Sequence, residues 1–154
     1  MANVKPIPDG YHTITPHLIC RDAASTIEFY KKAFGAEEHS RAMDPSGKKV
    51  WHAHLQIGSS AIFVNHVFPE MNPGAKQSDS NMWLYVEDAD ASWKRAVDAG
   101  ATPGMPPSDM FWGDRMGTLK DPFGQSWTVA THTKDMTPDE IKAAEAAFVA
   151  SMKK

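Results

Sequence analysis

Apolar residues recur at helical spacing in three stretches of this chain and in alternation in several others. Asp22 precedes a run in which Ile27, Tyr30, Lys31 and Phe34 share one face, so the spacing predicts a helix over 23–34 with Asp22 as its cap. Gly35 supplies the positive φ that ends it. A second helix is predicted over 89–99, stopped by Gly100. Thr137-Pro138-Asp139-Glu140 opens a third, over about 138–152, with an N-cap, a proline at the first position and acids in the first turn. Strands are predicted over 12–20, 37–43, 49–57, 60–67, 81–87, near 102–105, and over 114–120 and 125–132. Asp44-Pro45-Ser46-Gly47 and Asp121-Pro122-Phe123-Gly124 read as turns, and Pro106-Pro107-Ser108-Asp109 as a loop. Residues 1–10 read as an arm, and residues 69–80 as a polar linker.

The pattern occurs twice. Leu18 maps to Leu84, Asp22 to Asp88 and Ala23 to Ala89, all at an offset of 66, and Gly35-Ala36 maps to Gly100-Ala101 after one deletion. Gly58 and Gly124 keep the same offset before two strand-like runs. Each copy is strand, helix, strand, strand, strand: module 1 over about 11–68 and module 2 over about 81–132. Duplication implies a pseudo-two-fold structure within a single domain spanning 1–154, and the seam between copies is the expected place for a ligand.

Composition narrows the classes. The chain has 154 residues, 42% of them apolar, enough for a real core. Net charge is −3 and no basic run stands out beyond Lys153-Lys154, so no nucleic acid partner is expected. No apolar run approaches the roughly 18 residues of a membrane span, and Lys5, Pro6, Pro8 and Asp9 interrupt any signal-peptide core. Cys20 is the only cysteine, which forbids an intrachain disulfide; it reads as buried filler with no activating partner nearby in sequence. A cytoplasmic location without membrane association is the expectation.

The doubled βαβββ pattern resembles the vicinal oxygen chelate superfamily of glyoxalases, bleomycin-resistance proteins and dioxygenases. Finer features resemble its PhnB-like branch: Ile14-Thr15-Pro16, the run from Ile27 to Ala36, Phe111-Trp112-Gly113-Asp114-Arg115, Asp121-Pro122-Phe123-Gly124, Trp127 and Thr131-His132. The resemblance runs from about residue 12 to about 140. It implies an α+β fold of two tandem βαβββ modules, with curved mixed sheets around a cavity, plus the C-terminal helix.

The resemblance also locates where a metal would bind. In metal-dependent members, His and Glu side chains on the first and last strand of each copy converge on one divalent ion, which chelates two vicinal substrate oxygens. The first ligand lies seven residues before the helix-capping Asp, at Thr15 and Asn81 here. The second lies four residues after the turn Gly, at Thr128 and at Ile62, or Phe63 if the strand slips by one. This set contains no imidazole or carboxylate and cannot hold Zn, Ni, Mn or Fe in the family manner. No cofactor is therefore expected, and glyoxalase I activity is disfavoured.

Histidine is nevertheless plentiful. His12, His17, His52, His54, His66 and His132 lie on or beside predicted strands, and His39 lies in another. His52 and His54 alternate with Ala53 and share a face, and His17 would share one with Thr15. In the second copy, alternation puts Asn81, Trp83 and Tyr85 on the cavity face with Ser126, Thr128 and Ala130. Small hydroxyls and aromatic walls suit a planar or amphipathic organic ligand better than an ion. Within Phe111-Trp112-Gly113-Asp114-Arg115, either Trp112 closes on a ligand and Arg115 pairs with an anionic group, or Asp114 and Arg115 join a salt-bridge network that fixes the loop. The expected ligand contacts are Thr15, His17, Asn81, Trp83, Tyr85, Trp112, Arg115 and Thr128.

The leading expectation is a metal-free protein of this fold that binds a small organic molecule. The alternative is a lyase, isomerase or dioxygenase using a relocated metal held by His17, His52, His54 or His66. Ile141, Ala144, Phe148 and Met152 share a stripe of the last helix. That stripe either docks on its own domain or covers a second subunit, and a homodimer is the expected assembly.

Overall fold

The computed structural model describes residues 3–153. Met1 and Ala2, at the start of the predicted arm, and Lys154 lie outside the described residues. The chain divides into two compact units, Met1–Ser80 and Asn81–Lys154.

The first unit runs β1 (His17–Cys20), α1 (Ala23–Phe34), β2 (Glu37–Met43), β3 (Val50–Ile57) and β4 (Ser60–His66). Its sheet has the order β1-β4-β3-β2 and is mixed: β1 pairs with β4 in parallel, and the other neighbours are antiparallel. Asp22 caps α1 by accepting from the Ser25 backbone N–H at 3.1 Å, and Gly35 ends it at φ 68°. Lys31 and Phe34 on the predicted α1 face are only partly buried, while Ile27 and Tyr30 of the same face are wholly buried, as are Leu55 and Val64 of the sheet. Burial of such side chains contributes roughly 1.5–3 kcal/mol each.

β1 is much shorter than the strand predicted over 12–20. Pro16 has no N–H to extend the ladder, and its carbonyl accepts the last rung from Phe63 at 2.9 Å. Thr15 therefore precedes the strand, and the face it was expected to share with His17 is not set by strand alternation. The linker lies along the open edge of β1. Ser78 donates its N–H to the Ile19 carbonyl at 2.8 Å, its hydroxyl accepts from the Ile19 N–H at 2.8 Å, and Gln77 Oε1 accepts from the Arg21 N–H at 3.2 Å.

The second unit runs β5 (Asn81–Tyr85), α2 (Ala89–Asp98), β6 (Thr102–Pro103), β7 (Ser108–Asp109), β8 (Asp114–Lys120), β9 (Ser126–His132) and α3 (Pro138–Met152). Its sheet has the order β5-β9-β8-β6, with β5 parallel to β9, and β7 also pairs with β8. The segment expected as the loop 106–109 thus contains a short strand. The turn at Asp121 is built on a buried carboxylate that accepts from the Phe123 and Gln125 N–H groups at 3.0 Å and from the Trp127 indole at 3.1 Å. α3 starts as predicted, with Thr137 accepting from the Glu140 N–H at 3.1 Å, but none of its residues is fully buried. Its contact with the rest of the unit includes Phe148 against Phe111, with ring centroids 5.3 Å apart.

Candidate functional site

Each sheet presents one face that α1 or α2 does not cover, and most of the expected site residues lie there. In the first unit, register places His17 beside Phe63 and Phe63 beside His54. Ile62 is 2% exposed and belongs to the buried set, so Phe63 is the residue that takes the open-face position. Phe63 packs against the rings of His17, His52 and His54, with centroids 6.2, 4.6 and 6.0 Å away. A bulge between Glu38 and Ser40 brings His39 to the same group, with its ring 4.9 Å from that of His54.

His54 Nδ1 and the Tyr11 hydroxyl share a hydrogen bond of 2.8 Å, while Nε2 is buried without a hydrogen-bond partner. Burial first, then the neighbouring His39 and His52, push its pKa down, which favours the neutral ring. His66 is almost fully buried, and burial likewise lowers its pKa. His66 Nδ1 accepts from the Val50 N–H at 2.8 Å. Among the described residues, no group of three or more His, Cys, Asp or Glu side chains is placed to hold one metal ion. His17, His52, His54 and His66 therefore do not assemble the relocated site in this arrangement.

A cavity of about 390 Å³ opens between this sheet and the segment that follows β4. His17, Trp51, His52, Asn65 and His66 line it from the sheet, and Phe68 and Met71 from the segment. Trp51, Phe68 and Met71 were not among the expected site residues. The sequence signal was present, since Met71 is an apolar residue in an otherwise polar linker, but the return of that linker to β1 is tertiary. Thr15 is half-buried and does not line this cavity.

In the second unit, Asn81 and Thr128 line a cleft of about 460 Å³ with Thr102, Pro103 and Lys120. Trp83 is paired in register with Thr128 and is 48% exposed; Tyr85 is 61% exposed, and their rings are 6.1 Å apart. The Tyr85 hydroxyl and the Trp112 indole both donate to Asp114 Oδ2 at 2.9 Å, and His132 Nδ1 lies 2.9 Å from Oδ1. His132 Nε2 lies 2.8 Å from Asp135. Burial alone would raise the Asp114 pKa, but hydrogen bonds from His132, Tyr85 and Trp112 hold it below the usual value. The bond to Asp114, then that to Asp135, pushes His132 up. Tyr85 is also raised, chiefly by its bond to Asp114.

Asp114 and Arg115 do not act as a pair. They are adjacent on β8, so their side chains leave opposite faces. The Arg115 guanidinium makes a two-pronged contact with Asp90 on α2, at 2.6 and 2.9 Å, and reaches Asp109 on β7 at 3.3 Å. It is thus occupied by two carboxylates that tie α2 and β7 to β8, apart from the Tyr85 and Trp112 group.

Two units, each a strand and a helix followed by further strands of one mixed sheet, define an α+β protein whose open faces carry aromatic and imidazole side chains. The chain belongs to the Glyoxalase/Bleomycin resistance protein/Dioxygenase superfamily, whose family model matches residues 11–129. An uncharacterized protein of Mycobacterium bovis is 38% identical over 149 residues, covering 92% of this chain and 93% of its own. The X-ray structure of a gene product from Arabidopsis thaliana is similar with a TM-score of 0.61 at 26% identity, covering 78% of this chain and 98% of that one. The crystal structure of TioX from Micromonospora sp. ML1 shares the fold, with a TM-score of 0.65 at 22% identity over 79% of this chain and 98% of that one.

Proposed function

We propose that this chain is a small-molecule-binding protein of its superfamily that works without the family metal. One observation carries the reading: the donor set. At the positions where metal-dependent members place ligands, this chain has Thr15, Phe63, Asn81 and Thr128. A phenyl ring, an amide and two neutral hydroxyls do not fit a divalent transition-metal ion. Large side chains left open to solvent support the binding of an organic molecule. Trp51, Trp83 and Tyr85 are 45%, 48% and 61% exposed. On the second unit's open face Trp83 and Tyr85 serve as walls with Asn81 and Thr128 as polar contacts, and in the first unit His17 is a polar contact of that unit's own cavity. The PhnB-like motifs, a homodimeric assembly and a cytoplasmic location belong to the same reading.

Metal analysis tests it first. Protein purified without chelator is expected to hold no stoichiometric Zn, Mn, Fe or Ni, and EDTA should leave the melting temperature unchanged. A fall of several degrees that one divalent ion restores would refute the reading. Tryptophan fluorescence across a panel of aromatic compounds then identifies ligands. For a ligand seated on the second unit's open face, Trp83→Ala should weaken binding about ten-fold or more.

A further inference from the structure

The cavity of the first unit has a chemistry that selects among organic ligands. No Asp, Glu, Lys or Arg lines it. Its walls are the Trp51 indole, the Phe68 ring and the Met71 thioether, and Trp51 and Met71 are 45% and 70% exposed, so large apolar surfaces stand open at this site. A volume of about 390 Å³ lies at the small end of ligand pockets and accommodates one or two rings.

Hydrogen-bond partners set the imidazole tautomers. Asn65 donates its amide N–H to the His66 carbonyl at 2.7 Å, which leaves its Oδ1 as the acceptor that meets His17 Nε2. His17 Nε2 therefore carries a proton, and Nδ1 of the neutral ring is an acceptor. His66 is set the opposite way. Its Nδ1 accepts from the Val50 N–H, so Nε2 carries the proton and donates. The cavity thus offers an imidazole acceptor, an imidazole donor, the polar groups of His52 and Asn72, and aromatic walls, with no Asp, Glu, Lys or Arg in its lining and Lys49 Nζ 5.4 Å over the Phe68 ring.

We propose that this cavity binds a neutral, planar aromatic molecule of one or two rings bearing a hydroxyl group. The inference rests on the small-molecule reading above and names its ligand class. A hydroxyl can donate to His17 Nδ1 or accept from His66 Nε2–H. A bare ring satisfies neither, and a carboxylate adds a charge that the lining does not match.

The test uses the full chain at pH 8, above the range in which imidazole ordinarily ionises. Binding of naphthalen-2-ol is measured by isothermal titration calorimetry, with naphthalene and naphthalene-2-carboxylate as competitors. Naphthalen-2-ol should bind with a micromolar Kd, and each competitor about ten-fold more weakly or worse. Phe68→Ala and Trp51→Ala should weaken naphthalen-2-ol about ten-fold, while Met105→Ala, at an exposed apolar side chain of the second unit, should leave it within about two-fold. The comparison of ligands on the unaltered protein holds even if a variant folds poorly. Equal binding of the carboxylate, or dependence on Met105 instead of Trp51 and Phe68, would overturn the proposal. If naphthalen-2-ol fails while another organic compound binds metal-free protein, this ligand class is wrong and the general reading survives. Stoichiometric transition metal in the purified protein would remove both.

Discussion

Replacing Asp114 tests the polar network of the second unit most directly. Its carboxylate is 2% exposed and takes hydrogen bonds from Tyr85, Trp112 and His132, each at 2.9 Å. Hydrogen bonds to a charged group contribute roughly 1.5–3 kcal/mol each, and removing one partner of a buried charged set costs about 3–5 kcal/mol. Tyr85 and His132 are exposed enough to turn toward water, so Asp114→Ala should sit at the low end, about 3 kcal/mol. For a chain of this size that corresponds to a fall in melting temperature of roughly 6–12 °C. Asp114→Asn should cost only about 1 kcal/mol. Its amide oxygen can face Tyr85 and Trp112, while its NH₂ donates to Nδ1 of a neutral His132 whose Nε2–H still reaches Asp135.

The same variant alters the pH response. Asp114 is lowered, so its contribution is complete above its ordinary value of 3.8 and is lost as pH falls through the lowered pKa. His132 is raised, so its contribution is complete below its ordinary value of 6.5 and is lost as pH rises through the raised pKa. The network therefore contributes most between roughly pH 5 and 6.5. Urea denaturation at pH 5.5 and 8.5 measures stability, and NMR titration of the imidazole nitrogens follows His132. In Asp114→Asn the His132 pKa should move down toward its usual range, and the stability gap to the unaltered protein should be larger at pH 5.5. Two results would refute the reasoning: Asp114→Ala within 0.5 kcal/mol of the unaltered protein, or a His132 pKa unmoved by Asp114→Asn.

Gly113→Ala should destabilise the loop before β8. The residue has φ 96°, and an added Cβ would stand 2.3 Å from the Lys134 carbonyl oxygen, so a loss of about 2 kcal/mol or more in urea denaturation is expected, and an unchanged midpoint would show that the loop yields. Sedimentation at micromolar concentration should show a dimer, and truncation after Asp135 should convert it to monomer. The truncated monomer should lose little stability of its own, because the half-exposed Phe148 stacking on Phe111 is worth only about 0.5–1.5 kcal/mol. A monomeric full-length chain would rule this assembly out.

Local chemistry made the elements legible in the chain itself. Asp22 and Gly35 bound α1, Thr137 and Pro138 open α3, and the predicted strands over 37–43 and 114–120 match β2 and β8 residue for residue. These features depend on neighbours within a few positions: a capping oxygen, a positive φ, a period of two. The repeat at an offset of 66 carried the doubled architecture for the same reason, since each copy repeats its own local signals. Where β1 begins was already a compromise, because Pro16 cut the ladder that an apolar run alone would have extended. What each side chain touches was decided only in three dimensions. The one-residue register that exposes Phe63 and buries Ile62 depends on pairing with β1 and β3. Asp114 and Arg115, adjacent in the chain, part to opposite faces of β8 and find Tyr85 and His132 on one side, Asp90 and Asp109 on the other. The first unit's cavity exists because residues 77–78 return to the edge of β1 and carry Phe68 and Met71 over the sheet. Contacts between residues tens of positions apart depend on chain closure and on the sum of many packing energies, and no local pattern along the sequence encodes them.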